Sequence, residues 1–230
     1  MTAVNNPRLK SGDFSRYGIF LIQFFTVFSI LNHPQRNTIR LQLKQNLILR
    51  EMPSQAWNDL EPQLEIAEYR KGEPLVRQGS SSMEQFFILD GILKRVVSNP
   101  QGKEMILRFA AEQDMDTSYA AWRLKTPVPY SIAAVTKVRV ARLSMPHWVE
   151  FLERHNEVKL RFEYEVMRLM SEVMAHTITL HLLDAPGRLS RFLRKHQDFL
   201  DRVPKKELAS YLNLTPETLS RLRQRVLNTD

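Results

Sequence analysis

Apolar positions change period along the chain, and each change marks a unit. Between residues 69 and 143 they fall in short runs, at 74–77, 85–89, 92–97, 104–109 and 136–143. Gly72, Gly79, Gly91 and Gly102 punctuate these runs. Evenly spaced short strands with glycine turns predict a β-roll or barrel. In the last run Val138, Val140 and Arg142 alternate with Lys137, Arg139 and Ala141, the period of a half-buried strand. Upstream, Leu47, Leu49, Met52, Trp57, Leu60 and Leu64 predict helix across 44–68, with a start signal at Pro53 and Ser54. After Met145 and Pro146 the period is helical: a short helix at 147–155, then a long one at about 157–183. Within the long one Phe162, Val166, Leu169, Val173, His176, Leu180 and Leu183 recur at alternating steps of four and three. That is a heptad seam. One helix cannot bury such a seam on a β-roll alone, so the seam predicts a symmetric dimer. His176, inside it, reads as a tolerated polar residue that sets register. Asp184 reads as hinge and N-cap of a further helix over 188–199.

The most informative stretch is 203–226. Leu208, Ala209 and Leu212 share one face of a first short helix from about Lys205. Asn213 tolerates the left-handed backbone that a tight turn needs. Thr215 is a good N-cap and Pro216 suits the first helical position. Leu214, Leu219, Leu222 and Val226 give the second helix an apolar face, while Glu217, Ser220, Arg221 and Gln224 lie opposite. Such side chains can meet base edges: Arg at guanine, Glu at cytosine N4, Ser at either. Lys205, Lys206, Arg223 and Arg225 flank the pair as candidate phosphate contacts. The pattern predicts a helix-turn-helix with the second helix as reader. A plain αα-hairpin is the competing reading, disfavoured by the exposed polar row.

At the other end, the uncharged span 17–35 is near the lower limit for crossing a bilayer, roughly 17–25 residues. Arg8, Lys10 and Arg16 precede it, as in a signal-peptide n-region, yet no small-residue cleavage site follows. It reads as a membrane anchor, as a helix packed on the body, or as sequence translated from a start placed too far upstream. The last is preferred, because the recognisable domain begins near Lys44. The breaks divide an α+β chain of two domains into an N-terminal extension (1–43), a β-roll (44–145), a short helix with the dimerisation helix (146–183) and a helix-turn-helix unit (184–230).

Composition narrows the function. The net charge of +8 is uneven: +6 over 1–50, −2 over 51–183 and +4 over 184–230. The C-terminal excess suits a small DNA-binding module. There is no cysteine, which excludes disulfides, thiolate-held iron–sulfur clusters and thiol nucleophiles, and agrees with a reducing, cytoplasmic setting. No paired carboxylates, nucleophile–base set or metal-ligand spacing points to an enzyme. His147, His155, His176 and His181 are scattered on helices and read as structural rather than as haem ligands.

With β-roll, long helix, hinge and helix-turn-helix in this order, residues 44–226 resemble the Crp/Fnr superfamily of bacterial transcription regulators. The resemblance rests on YRKGEPLVRQG (69–79), FFILDGILKRVVSNPQGKEMILRF (86–109), LLDAPGRL (182–189) and ELASYLNLTPETLSRL (207–222). The last is similar to the E-x-x-S-R reading motif of the fumarate-nitrate regulator branch, which implies Glu217, Ser220 and Arg221 as readers and a TTGA-type half-site. Pro216 stands where cAMP receptor proteins place an Arg. The resemblance further implies double-stranded DNA, a second copy of the chain and RNA polymerase as partners, with a small-molecule effector that the sequence does not name.

The sensor cassette departs from the family. Thr117 and Ser118 stand where cyclic-nucleotide-binding members have Gly-Glu, and Tyr130 and Ser131 where they have Arg-Ser. Without that Arg a buried cyclic phosphate lacks its ion-pair partner. Val173 and Met174 replace the Thr-Ser that touches adenine, and Arg123 is the nearest substitute cation. The expectation is therefore a degenerate pocket, lined by Thr117, Ser118, Arg123, Tyr130, Ser131 and Val173, without cAMP or another cofactor. The chain stops at Asp230, where relatives continue into a β-hairpin wing. The competing reading is a ligand-sensing or protein-interaction module with a vestigial DNA-binding end.

Overall fold

The computed structural model describes residues 28–196 and 199–227. Nine strands form two antiparallel sheets. The first is ordered β1 (Phe28–Ser29), β2 (Glu65–Tyr69), β9 (Val138–Ser144), β4 (Glu84–Asp90), β7 (Met115–Thr117). The second is ordered β3 (Pro74–Val76), β8 (Ser131–Ala134), β5 (Leu93–Ser98), β6 (Glu104–Ala110). Strand β4 shows why the sheets stack. Phe86 and Ile88 pack between the sheets, while Phe87 and Leu89 pack outward, against helices. A strand covered on both faces has no polar side, so its sequence is a continuous apolar run. Gly91, at the β4–β5 turn, has φ +91° and approaches so closely that a Cβ would lie 2.2 Å from the Lys137 carbonyl oxygen. Only glycine fits there.

The outer face of the first sheet carries α1 (Arg36–Leu43), α2 (Ser54–Leu60), α4 (Met145–Arg154) and the N-terminal half of α5 (Asn156–Leu182), around the stacked rings of Trp148 and Phe151. The outer face of the second sheet carries α6 (Ala185–Lys195), α7 (Lys205–Tyr211) and α8 (Pro216–Leu227). Ile92, Val96, Ile106 and Phe109 of the roll share one apolar cluster with Leu189, Phe192, Leu208, Tyr211 and Leu219. A six-residue helix, α3 (Tyr119–Leu124), follows β7. The expected strands, the long helix and the cap at Asp184, whose Oδ1 accepts from Gly187 N at 2.9 Å, are all present.

Two expectations change. The domain does not begin at 44. Strand β1 pairs with β2, Ile30 N donates to the Leu64 carbonyl at 3.0 Å, and Ile30, Ile39 and Leu43 lie in the core. Arg36 and Arg40 close on Glu61 at 2.8 and 3.7 Å. Residues 28–43 thus pack as part of the β-roll unit; residues 17–27 of the apolar span lie outside the described residues. No helix among the described residues is long and apolar enough to cross a membrane. The single helix expected over 44–68 is α2 alone, followed by a 3-10 turn, Glu61–Gln63, and by β2. Pro53 and Pro62 each remove a backbone donor, and Glu65–Tyr69 pairs with β9 as a strand, so the helical period cannot run through.

Ile30→Ala tests the new boundary. Truncating a fully buried Ile costs about 2–5 kcal/mol. Denaturant unfolding of the full chain should show that loss, and an unchanged midpoint would return 28–43 to the status of an appendage.

Candidate functional site

The helix-turn-helix has the geometry the sequence implies. Asn213 takes φ +51° between α7 and α8. Arg188 of α6 ties down this turn by donating to the carbonyls of Leu212 and Asn213 at 2.8 and 3.3 Å. Thr215 caps α8, its Oγ1 accepting from Thr218 N at 3.2 Å. Leu208, Ala209, Leu212 and Leu219 are buried, so the opposite stripe of α8 faces out: Glu217 and Arg221 are exposed and Ser220 is half-buried. Glu217, in the first turn, is held below the usual carboxylate range by backbone N–H donation, the Thr215 hydroxyl and Arg221. It stays anionic, an acceptor for a base amino group. Arg221 donates to Thr218 Oγ1 at 3.5 Å. Lys205 and Lys206 are exposed in the first turn of α7.

The cassette residues converge inside the roll on a group the sequence did not suggest. Arg95, on β5, points between the sheets with Leu93 and Val97. Its guanidinium pairs with Asp116, donates to the Thr117 carbonyl at 3.2 Å and lies over the Tyr130 ring, 4.1 Å from its centroid. Burial works against the Arg95 charge, but Asp116 and its neighbours outweigh it and raise the pKa. Tyr130 donates its hydroxyl to the Thr117 carbonyl at 2.8 Å. Arg108 of β6 pairs with Asp114, donates to the Met115 carbonyl at 3.0 Å and stands 3.8 Å from Asp116 Oδ2. Burial raises Asp114 above its ordinary pKa, against the pull of Arg108. Two guanidinium groups and two carboxylates therefore neutralise one another where a ligand would sit.

The remaining pocket candidates divide. Thr117 and Ser118 are buried in this cluster, and Ser131 Oγ accepts from Gln78 N at 2.9 Å. Arg123 is exposed on α3, 5.9 Å from the Tyr119 ring centroid, and does not reach inward. Val173 is half-buried on α5, on no contact with the cluster. Period-two reading of LKRVVS puts Arg95 on the inward face; that was the available signal.

The expected dimer seam turns inward. Phe162 is fully buried against Trp148 and Tyr119, Leu169 is 3% exposed, and His176 stacks flat on Tyr211 at 3.8 Å. Val166 packs on the same core, and Val173 and Leu180 are half-buried. These side chains are satisfied within their own chain. A second row on α5 is left open instead: Leu160, Tyr164, Met167, Met174 and Ile178 are each at least half exposed, with Ser171 between them. Their spacing is also alternating four and three, so α5 carries two heptad stripes. The histidines are dispersed: His147 meets Ser144 at 3.1 Å, His155 meets Asp59 at 2.9 Å, and His181 is exposed.

Comparison with known proteins agrees with this architecture. Residues 66–155 match the cyclic nucleotide-binding domain family. The cAMP-activated global transcriptional regulator CRP of Salmonella typhimurium is 20% identical over 167 residues, covering 68% of this chain and 80% of that protein. The nitrogen fixation regulation protein FixK of Bradyrhizobium diazoefficiens is 23% identical over 164 residues, covering 66% and 68%. The structure of FixK2 from Bradyrhizobium japonicum superposes with a TM-score of 0.64 at 17% identity, over 71% of this chain and 84% of that one.

By these matches the chain is similar to regulators of the Crp/Fnr superfamily, and its β-roll to the cyclic nucleotide-binding domain. Its matches are regulators by name. The α7–α8 unit is a helix-turn-helix, and the Arg95–Asp116 cluster lies inside the roll, among the residues of the expected pocket. The departure at Thr117, Ser118 and Tyr130 thus goes beyond missing ligand contacts. Tyr130, in place of a phosphate-binding Arg, supplies the ring on which Arg95 rests.

Proposed function

We propose that this chain is a cytoplasmic, homodimeric, sequence-specific DNA-binding regulator of transcription that acts with RNA polymerase and does not take cAMP. The exposed Glu217, Ser220, Arg221 stripe of α8 carries the DNA-reading part. Glu217 and Arg221 are exposed on it, and the stripe has the chemistry to enter a major groove. Lys205 and Lys206 hold phosphates beside it. The second copy packs on the open stripe of α5, Leu160 to Ile178, which places two readers on successive turns of DNA. The filled roll supports the absence of cAMP: a nucleotide would have to break the Arg95–Asp116 pair and displace Tyr130.

The test is binding to a palindromic TTGA-type site and to a scrambled duplex at two salt concentrations. Wild type should prefer the palindrome. Arg221→Ala should cost about 1–3 kcal/mol and relax preference at one guanine per half-site. Lys205→Ala should weaken both duplexes alike and flatten the salt dependence. Wild type that does not distinguish the two duplexes would leave a sensing or interaction module with a vestigial reader.

A further inference from the structure

Between the roll and the helix-turn-helix lies a half-open crevice bounded by β6, α5, α6 and α7, with a volume of about 40 Å³. One water takes roughly 10–15 Å³ by this measure, so the crevice suits a group of a few heavy atoms and not a nucleotide. Its walls are cationic. Arg188, Arg191 and Lys195 come from α6 and Arg108 from β6, against a single lining carboxylate, Glu172. The local charges do not cancel. Arg108 is committed to Asp114, and Glu172 is shared by Arg168 at 2.8 Å and Lys195 at 3.5 Å. Arg188 spends its guanidinium on neutral carbonyls. Arg191 is exposed and has no ion pair among the described residues.

Two imidazoles complete the lining. The backbones of Ile106 and Tyr211 approach His176 but give its buried Nε2 no well-aligned partner. His196 lies against Phe192 and Phe199. Burial holds both rings neutral, with pKa values lowered to about 4, and neighbouring Lys195 adds to this in each case. Two cations without a counter-charge beside a small polar cavity and an unpartnered imidazole nitrogen describe a place for an anion.

We infer that this crevice binds a small free oxyanion of the size of phosphate or sulfate, held by Arg191 and Arg188 of α6 and by the His176 and His196 imidazoles. The guanidinium fork matches an oxyanion in shape as well as charge. Such an anion bridges α5 and α6 across the Asp184 hinge, and through Arg188 it reaches the α7–α8 turn. It is an effector position outside the filled roll, and its binding does not depend on the chain being a DNA reader.

The experiment is calorimetry and thermal unfolding of the full chain with inorganic phosphate and with sulfate, chloride being adjusted to constant ionic strength. Saturable heat and a midpoint that rises with either anion are expected. Arg191→Ala should weaken the affinity at least tenfold with its own fold intact, because the side chain is exposed; Arg191→Gln serves should that variant not fold. Arg123→Ala, which removes an equally exposed cation on α3, should bind as wild type does. No saturable heat with either anion, or equal binding by wild type and the Arg191 variant, overturns the inference.

Discussion

Asp116→Ala should destabilise the chain by about 3–5 kcal/mol, a large share of the stability of a typical domain. The cause is Arg95, which the substitution leaves charged and 3% exposed between two sheets. Its remaining contacts, the Thr117 carbonyl and the Tyr130 ring, carry no counter-charge. Arg108 cannot compensate, since it is also a cation and itself loses a carboxylate neighbour at 3.8 Å. Removing both partners has a different result. Arg95→Met with Asp116→Leu keeps the volume and takes away both charges, and such replacements are often neutral or stabilising. The double variant should therefore recover most of the loss, a coupling that a double-mutant cycle reads directly. Denaturant midpoints of the four proteins measure it. Equal losses in Asp116→Ala and the double variant would mean that the pair is not the element that closes the roll. In the same series cAMP should leave the wild-type midpoint unmoved; a saturable rise would mean that the nucleotide displaces Tyr130 and opens the cluster.

The helix-turn-helix was legible because its signals are local. A Thr cap followed by proline, an Asn able to take positive φ and a 3.6-residue apolar face each act within a few residues, and Thr215, Asn213 and Leu219 occupy those roles. The filling of the roll was hard to read because its partners are 21 residues apart and on different sheets. In sequence, Arg95 is one cation in LKRVVS, and only the period-two register marks it as inward. The segment 28–43 was misjudged for a related reason. Ile30, Ile39 and Leu43 are buried by distant strands and helices, and nothing within the segment shows what covers them. On α5 the sequence offers two stripes of equal periodicity, and periodicity does not say which one faces the chain's own body. That choice is made by the roll and by Tyr211, through contacts with Phe162, Leu169 and His176.

The open stripe of α5 leads to the second large effect. Met174→Asp should convert the dimer to monomers. Met167 and Met174 are each 64% exposed, and with Tyr164 and Ile178 they form a continuous apolar row that a single copy leaves in water. In a parallel pair of such helices the row meets its own equivalent, and each side chain enters a hole between four residues of the facing helix. Methionine suits this role because its unbranched thioether fills irregular gaps. An aspartate at 174 faces its own copy across the axis, so each dimer buries two like charges with no cation opposite. An uncompensated buried charge costs about 3–5 kcal/mol, and 1.4 kcal/mol is tenfold in Kd, so dissociation should become more than a hundredfold easier. The fold itself should survive, because the side chain lies on the surface of its own chain. Leu169→Asp should do the reverse, unfolding the chain by placing a charge in its core, where Leu169 is 3% exposed. Sedimentation resolves mass and circular dichroism resolves folding, so the two variants separate the two stripes. A Met174→Asp protein that still sediments as a dimer would assign the interface elsewhere, and a folded monomer would also be expected to lose the palindromic DNA site while keeping weak, salt-sensitive binding to any duplex.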